Sequence, residues 1–196
     1  MKVKRLGIFP NLGKEKVRIA LEEFVSLCRE WGMEPVLPAE AAAEFDCSAY
    51  DVRDAASLAS LDGAVSLGGD GTLLQMAHHL VPVGVTAFGI NFGKLGFLAE
   101  IDLPGMSKAM SKLAQGSFTL EERSLLMAQV LEQDKVISTV HALNDLVLTK
   151  GIYSKMAHLQ MYIKGRPSGR YAADGIIVAT ATGSTAYSLS LIHISE

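Results

Sequence analysis

Gly63-Ala64-Val65-Ser66-Leu67-Gly68-Gly69-Asp70-Gly71-Thr72-Leu73-Leu74-Gln75-Met76-Ala77 decides the fold class of this chain. Its first five residues form a small apolar run that reads as a buried strand. Gly68–Gly71 is a tight turn, and Thr72 opens a helix. Glycines in the turn admit positive φ and let a ligand come close to the backbone. The first N–H groups of the helix face that turn, where donors and dipole both favour a phosphate. A carboxylate placed there repels such a ligand unless it has a task of its own, so Asp70 is the first candidate for chemistry.

The pattern repeats on either side. Arg5 to Pro10 reads as a first strand, ending at Asn11-Leu12-Gly13. Glu15 to Trp31 is an amphipathic helix with Val17, Ala20, Leu21, Phe24, Leu27, Cys28 and Trp31 at helical spacing, stopped by Gly32. Glu34 to Leu37 is a short strand, and Pro38 to Ser60 is alanine-rich loop and short helix. Thr72 to Leu80 is helical, Val83 to Ile90 is a further strand, and Leu103 to Gln115 a further helix. Alternation of this kind predicts an α/β domain, a Rossmann-like parallel sheet with helices on its faces. Ligands of such sheets sit at the carboxyl ends of the strands, where Gly68–Gly71 and Asn91-Phe92-Gly93 both fall. After Gly116 the character changes. Leu125–Leu131, Val136–His141, Asp145–Thr149, His158–Ile163 and Gly175–Thr180 read as strands with polar or glycine turns between them. The expected organisation is an α/β domain over 1–117 and a β-rich domain over 118–196.

Bulk properties narrow the function classes. The 196 residues are 49% hydrophobic and 20% charged, enough apolar content for a folded core. A net charge of −3 provides no general basic field for a nucleic-acid backbone. Cys28 and Cys47 are expected to be free thiols of a reducing compartment. No run approaches the ~18 apolar residues of a membrane span, and the short apolar part of the N-terminus does not suit a signal peptide. A cytoplasmic protein is expected, with no nucleic-acid or membrane partner.

Four segments, this turn among them, carry candidate chemistry. The Gly68-Gly69-Asp70-Gly71-Thr72 turn is no P-loop, because it contains no lysine, and no dinucleotide fingerprint, because the third glycine is missing. Gly68, Gly69, Gly71 and Thr72 are candidates to present donors to a polyphosphate, and Asp70 to accept a proton from an attacking hydroxyl. The plain alternative is Asp70 as a helix N-cap. Asn91-Phe92-Gly93-Lys94-Leu95-Gly96-Phe97-Leu98 is a loop able to wrap a ligand or simply a crossover. Asn144-Asp145 suits a nucleoside, the amide for a base edge and the carboxylate for ribose hydroxyls, or it is an ordinary turn. Asp174-Gly175-Ile176-Ile177-Val178-Ala179-Thr180 runs into Ala181-Thr182-Gly183-Ser184-Thr185-Ala186-Tyr187-Ser188, a turn rich in short donors. That turn reads equally as nucleotide-binding or as a helix capped by Thr182 or Ser184. His78-His79 lacks partners at metal spacing, and no metal site is expected. His158 and Lys155 precede a strand, within reach of a phosphate or on a solvated face.

Taken together and in order, these motifs resemble a bacterial-type NAD kinase, of the ATP-NAD kinase family. The Gly-Gly-Asp-Gly-Thr turn is shared with lipid and sphingoid-base kinases; Thr182-Gly183-Ser184-Thr185-Ala186-Tyr187-Ser188 is the more specific element. The resemblance implies transfer of phosphate from ATP, accompanied by Mg2+, to the 2′-hydroxyl of the adenosine ribose of NAD. It implies Asp70 as general base, Gly71 beside it, and Asn144 and Asp145 at the nucleoside. Thr185, Ala186, Tyr187 and Ser188, followed by Leu189 and Ser190, would cradle the dinucleotide, with His158 nearby. Asp174 would reach its nicotinamide end, in this family across a subunit boundary of a homo-oligomer, a dimer or tetramer. Two positions depart from the family pattern. Asp145 stands where glutamate is common, and Gly169-Arg170-Tyr171-Ala172-Ala173 precedes Asp174 in place of a nearby arginine or glycine. The last six residues, Leu191-Ile192-His193-Ile194-Ser195-Glu196, do not match the family. On that reading the β-rich domain is incomplete, and the chain is expected to be a truncated enzyme of low activity or a non-catalytic NAD-binding fragment.

Overall fold

The computed structural model describes residues 2–93, 96–151 and 156–186, arranged as two compact units, Met1–Glu121 and Glu122–Glu196. In the first unit, β1 (Arg5–Pro10), β2 (Glu34–Pro38), β3 (Ser48–Tyr50), β4 (Gly63–Gly68), β5 (Ala87–Asn91) and β6 (Ile101–Asp102) form one six-stranded sheet in the order β3-β2-β1-β4-β5-β6. All its pairings are parallel. This is the order of a doubly wound sheet, whose direction of winding reverses between β1 and β4.

Side-chain alternation divides the core between the two faces of the sheet. Leu6 and Ile8 of β1 and Val65 and Leu67 of β4 join one cluster with Val17, Leu21, Phe24 and Cys28 of α1 (Glu15–Glu30). Met106 and Met110 of α5 (Met106–Gln115) complete it; α2 (Ala39–Ala42) precedes β3. Phe9 and Ala64 face the other way, against Tyr50, Leu58 of α3 (Ala55–Ala59), and Met76 and Leu80 of α4 (Asp70–Leu80). Tyr50 is fixed twice there: its ring stacks on Phe9 with centroids 4.7 Å apart, and its hydroxyl donates to the Ile8 carbonyl at 2.9 Å. Both cysteines are free, and burial pushes the Cys28 thiol up to about 12, so it serves as a core residue. Among the described residues no helix is long and apolar enough to cross a membrane.

Three local features differ from the sequence reading. The strand expected from Val83 starts at Ala87. Val81–Val83 is a 3-10 turn, because Pro82 suits the first turn of a helix and Gly84 ends it in the left-handed region at φ 69°. β3 lies inside the segment read as loop and helix, and β6 has only two residues. The glycines of the Gly68–Gly71 turn do not take positive φ; among the described residues Gly32, Gly84, Gly116 and Gly165 do.

Among its described residues the second unit holds three two-stranded antiparallel pairs. β7 (Leu126–Glu132) pairs with β8 (Lys135–Ala142), β9 (Asp145–Thr149) with β12 (Gly175–Ala179), and β10 (Ala157–Ile163) with β11 (Arg166–Ala173). β11 is additional to the sequence reading. Its Arg-Pro-Ser-Gly-Arg-Tyr-Ala-Ala run has no apolar alternation, and Pro167 enters the ladder opposite Tyr162, where the register shifts. Met127, Leu131, Ile137, Leu148 and Val178 are exposed on these strands.

Candidate active site

In the first unit the candidate site is built at the carboxyl ends of β4 and β5, and β4 borders the reversal point of the sheet. β4 ends at Gly68, and the chain turns directly into α4. Gly68 is needed there for space: a Cβ on it would overlap the Thr72 hydroxyl and Cβ, which lie over it. The Thr72 side chain is therefore packed across the turn rather than standing free of it. Gly69 is the cap position of α4, in extended backbone, and Asp70 is the first helical residue with no side-chain cap bond. The simple reading of Asp70 as an N-cap is thus set aside by the geometry.

The Asp70 carboxylate reaches instead to the loop after β5. Oδ2 accepts from the Phe97 N–H at 2.8 Å, and Oδ1 accepts from Leu98 at 3.2 Å and Ala99 at 3.0 Å. Gly96 lies against the same carboxylate, so closely that a Cβ there would overlap both oxygens. Three main-chain N–H groups converge on this half-buried carboxylate and set its orientation. Asn91, buried at the end of β5, shapes the start of this loop: its Oδ1 accepts from the Gly93 N–H at 2.9 Å. Phe97 is exposed. Lys94 and Leu95 lie outside the described residues. His78 and His79 are on α4 with ring centroids 5.7 Å apart in an edge-on arrangement, and burial lowers the pKa of His79.

In the second unit Thr180, just after β12, binds two sequence motifs together. Its hydroxyl donates to the Leu143 carbonyl at 2.6 Å and accepts from the Gly183 N–H at 3.0 Å. Its N–H donates to the Asn144 carbonyl at 2.8 Å, and its carbonyl accepts from the Ser184 N–H at 3.0 Å. Gly183 is buried against the Asn144 backbone, where a Cβ would overlap the carbonyl. The Asn144-Asp145 turn and the 182–185 turn are therefore one rigid piece. The latter is a 3-10 turn, Gly183–Thr185, with no side-chain cap from Thr182; the Gly183 amide is met by Thr180 instead. Ser184 and Thr185 donate their hydroxyls to the carbonyls of Ala181 and Thr182.

Asn144 Oδ1 is shielded from solvent and has no hydrogen-bond partner among the described residues. A shielded acceptor of this kind is completed by a donor from a ligand or water. Asp145 opens β9 opposite Ala179. Asp174 is exposed, and its carboxylate pairs with the Lys150 ammonium at 2.7 Å. His158 is on β10 opposite Ala172, exposed. Ala186 ends the described part of this turn; Tyr187, Ser188, Leu189 and Ser190 lie outside the described residues. Sequence reasoning read Gly96 as a glycine of a ligand-wrapping or crossover loop, and missed the Phe97–Ala99 amides as partners of Asp70 and Thr180 as the link between two turns. Only Thr180 had a visible signal, as a hydroxyl closing an otherwise apolar strand.

Residues 11–118 match the model of the ATP-NAD kinase N-terminal domain. The chain belongs to the ATP-NAD kinase family. Residues 143–191 match the C-terminal domain of the same family, which separates this chain from the lipid kinases that share its glycine turn. NAD kinases of Thermoanaerobacter sp. (strain X514) and Moorella thermoacetica (strain ATCC 39073 / JCM 9320) are 37% and 39% identical to it over 188 residues, each alignment covering 96% of this chain. The chain spans 66% of the first relative's length and 60% of the second's. The fold is also that of the crystal structure of yeast NADH kinase complexed with NADH, with a TM-score of 0.83 at 25% identity. That match covers 97% of this chain and 61% of the yeast chain. Membership of this family makes the chain a kinase homologue that combines an α/β part with a β-rich part.

Proposed function

We propose that the full-length protein transfers the terminal phosphoryl group of ATP to the 2′-hydroxyl of the adenosine ribose of NAD, forming NADP and ADP. The observation that carries this reading is the Asp70 carboxylate, fixed at the end of β4 with its orientation set by three amides. In phosphoryl transfer the protein contributes mainly placement and charge stabilisation, together with a base for the attacking hydroxyl. Asp70 is that base. Gly71 lies beside it, and Gly68, Gly69, Gly71 and Thr72 supply the glycine turn and helix start for the donor's phosphates. Magnesium enters as the complex of ATP, its phosphates holding the ion.

The nucleoside contacts come from the second unit. The shielded Asn144 Oδ1 is an acceptor for an amino group of a base or carboxamide, and Asp145 accepts from ribose hydroxyls. Thr185, Ala186, Tyr187, Ser188, Leu189 and Ser190 line the dinucleotide, with His158 as a further contact. Asp174, held by Lys150 on the surface of its unit, serves the nicotinamide end from a homo-oligomer in which subunits share sites. The proposed setting is the cytoplasm. The reading is tested by supplying NAD and Mg-ATP to the full-length protein and detecting product with a dehydrogenase that accepts NADP alone. NADP formation is expected; NAD binding without NADP formation overturns the assignment.

A further inference from the structure

A carboxylate has about four lone-pair positions. In Asp70 three are taken by main-chain donors, two at Oδ1 and one at Oδ2. Among the described residues Oδ1 is thereby filled, and Oδ2 keeps a position for an incoming hydroxyl. The amides that produce this asymmetry belong to consecutive residues, Phe97, Leu98 and Ala99, and the residue before them has no side chain. Space explains it: a Cβ on Gly96 would overlap the Asp70 carboxyl carbon and both oxygens. A flexible side-chain end would swing aside from such a contact at little cost, but this one is tied down by three hydrogen bonds.

We propose that Gly96 and the Phe97–Ala99 backbone are the seat of the catalytic carboxylate, with Gly96 a positioning residue that leaves Oδ2 as the proton-accepting atom. The inference rests on the reading of Asp70 as the base and adds which oxygen acts and what aims it. In the step, the hydroxyl O–H breaks and its proton passes to Asp70 Oδ2. The freed oxygen forms a bond to the terminal phosphorus of ATP. The bond from that phosphorus to the bridging oxygen breaks, and its electron pair leaves with ADP. The carboxylic acid then returns its proton to water.

The test is a double-mutant cycle of Gly96→Ala and Asp70→Asn in the full-length protein, with kcat, KM for NAD and melting temperature measured for each variant. Gly96→Ala is expected to lower kcat about a hundredfold, the cost of a misplaced reacting group, while KM for NAD changes less than about threefold. In the Asp70→Asn background the same substitution is expected to lower kcat by less than about threefold, because no base is left to misplace. Should Gly96→Ala fail to fold, the amide proton shifts of Phe97, Leu98 and Ala99 in Asp70→Asn take its place; all three are expected to move. Wild-type kcat in Gly96→Ala, an equal loss in both backgrounds, or unmoved amides would overturn the seat while leaving the base assignment intact. Wild-type kcat in Asp70→Asn overturns both.

Discussion

In the first unit, β1 and β4 are covered on both faces, and the site stands at the end of a strand that is buried along its whole length. In the second, the strands run in pairs, and apolar residues such as Met127, Leu131, Ile137 and Leu148 are exposed along them. The two units hold their candidate site residues by correspondingly different means. Asp70 is fixed by main-chain amides of a loop 27 to 29 residues away, on a platform that the parallel sheet makes rigid. Asn144 and the 182–185 turn are fixed by one residue, Thr180, through its hydroxyl, its N–H and its carbonyl. A deep core allows backbone to do the aiming; a shallow ladder relies on a local staple.

The largest expected effect belongs to the first unit. Phe24 is completely buried against the sheet, and Phe24→Ala should cost about 3–5 kcal/mol in denaturant unfolding. A loss below about 1 kcal/mol would show that the two-faced core is not what holds this unit. Next is the staple. Thr180→Val removes the hydroxyl's bonds to the Leu143 carbonyl and the Gly183 N–H, at a cost of about 1–3 kcal/mol. It should raise KM for NAD about tenfold, while Thr180→Ser, which keeps both bonds, should restore wild-type values. Equal behaviour of valine and serine would break the contrast drawn here.

Smaller effects sharpen it. Ile137→Ser, at an exposed position of β8, should change stability by no more than about 0.5 kcal/mol. Amide hydrogen exchange should be fast in β7 and β8 and slow in β1 and β4; equal protection would mean that the paired strands are as well covered as the sheet. The smallest effect is at Asp62, whose carboxylate accepts from the amides of Lys4 and Arg5 at 2.9 and 2.8 Å. Those bonds hold its pKa below the ordinary 3.8. The stabilisation is therefore complete above that value and lost as pH falls through the lower folded-state one. Wild type should melt slightly above Asp62→Ala at neutral pH, and the gap should close as pH falls below the ordinary carboxylate value of 3.8.

Much of this was written in the residue pattern. The run Arg5–Pro10, the periodic face of α1 and its stop at Gly32, and the strand-turn-helix around Asp70 follow from alternation, periodicity and glycine placement. β3, β6 and β11 did not show, because two or three residues make no pattern and a strand containing Pro167 and Gly169 contradicts the usual one. The order of the strands is a matter of long-range pairing that composition does not encode. In the site, Asp70 stood out as a charge among glycines. Its partners did not, since an amide N–H is common to every residue but proline, and which of them reaches a carboxylate depends on where the loop after β5 lands. Gly96 was noticed as a glycine of a loop, but its reason lies in the carboxylate pressed against it.

The most direct test of the account is the turnover of Asp70→Asn in the full-length protein, measured together with its dissociation constant for NAD. A proton-accepting carboxylate contributes about 10²–10⁴-fold to rate, so kcat should fall by that factor while NAD binding changes less than about threefold. Unchanged kcat in a folded variant that binds NAD as the wild type does would contradict it.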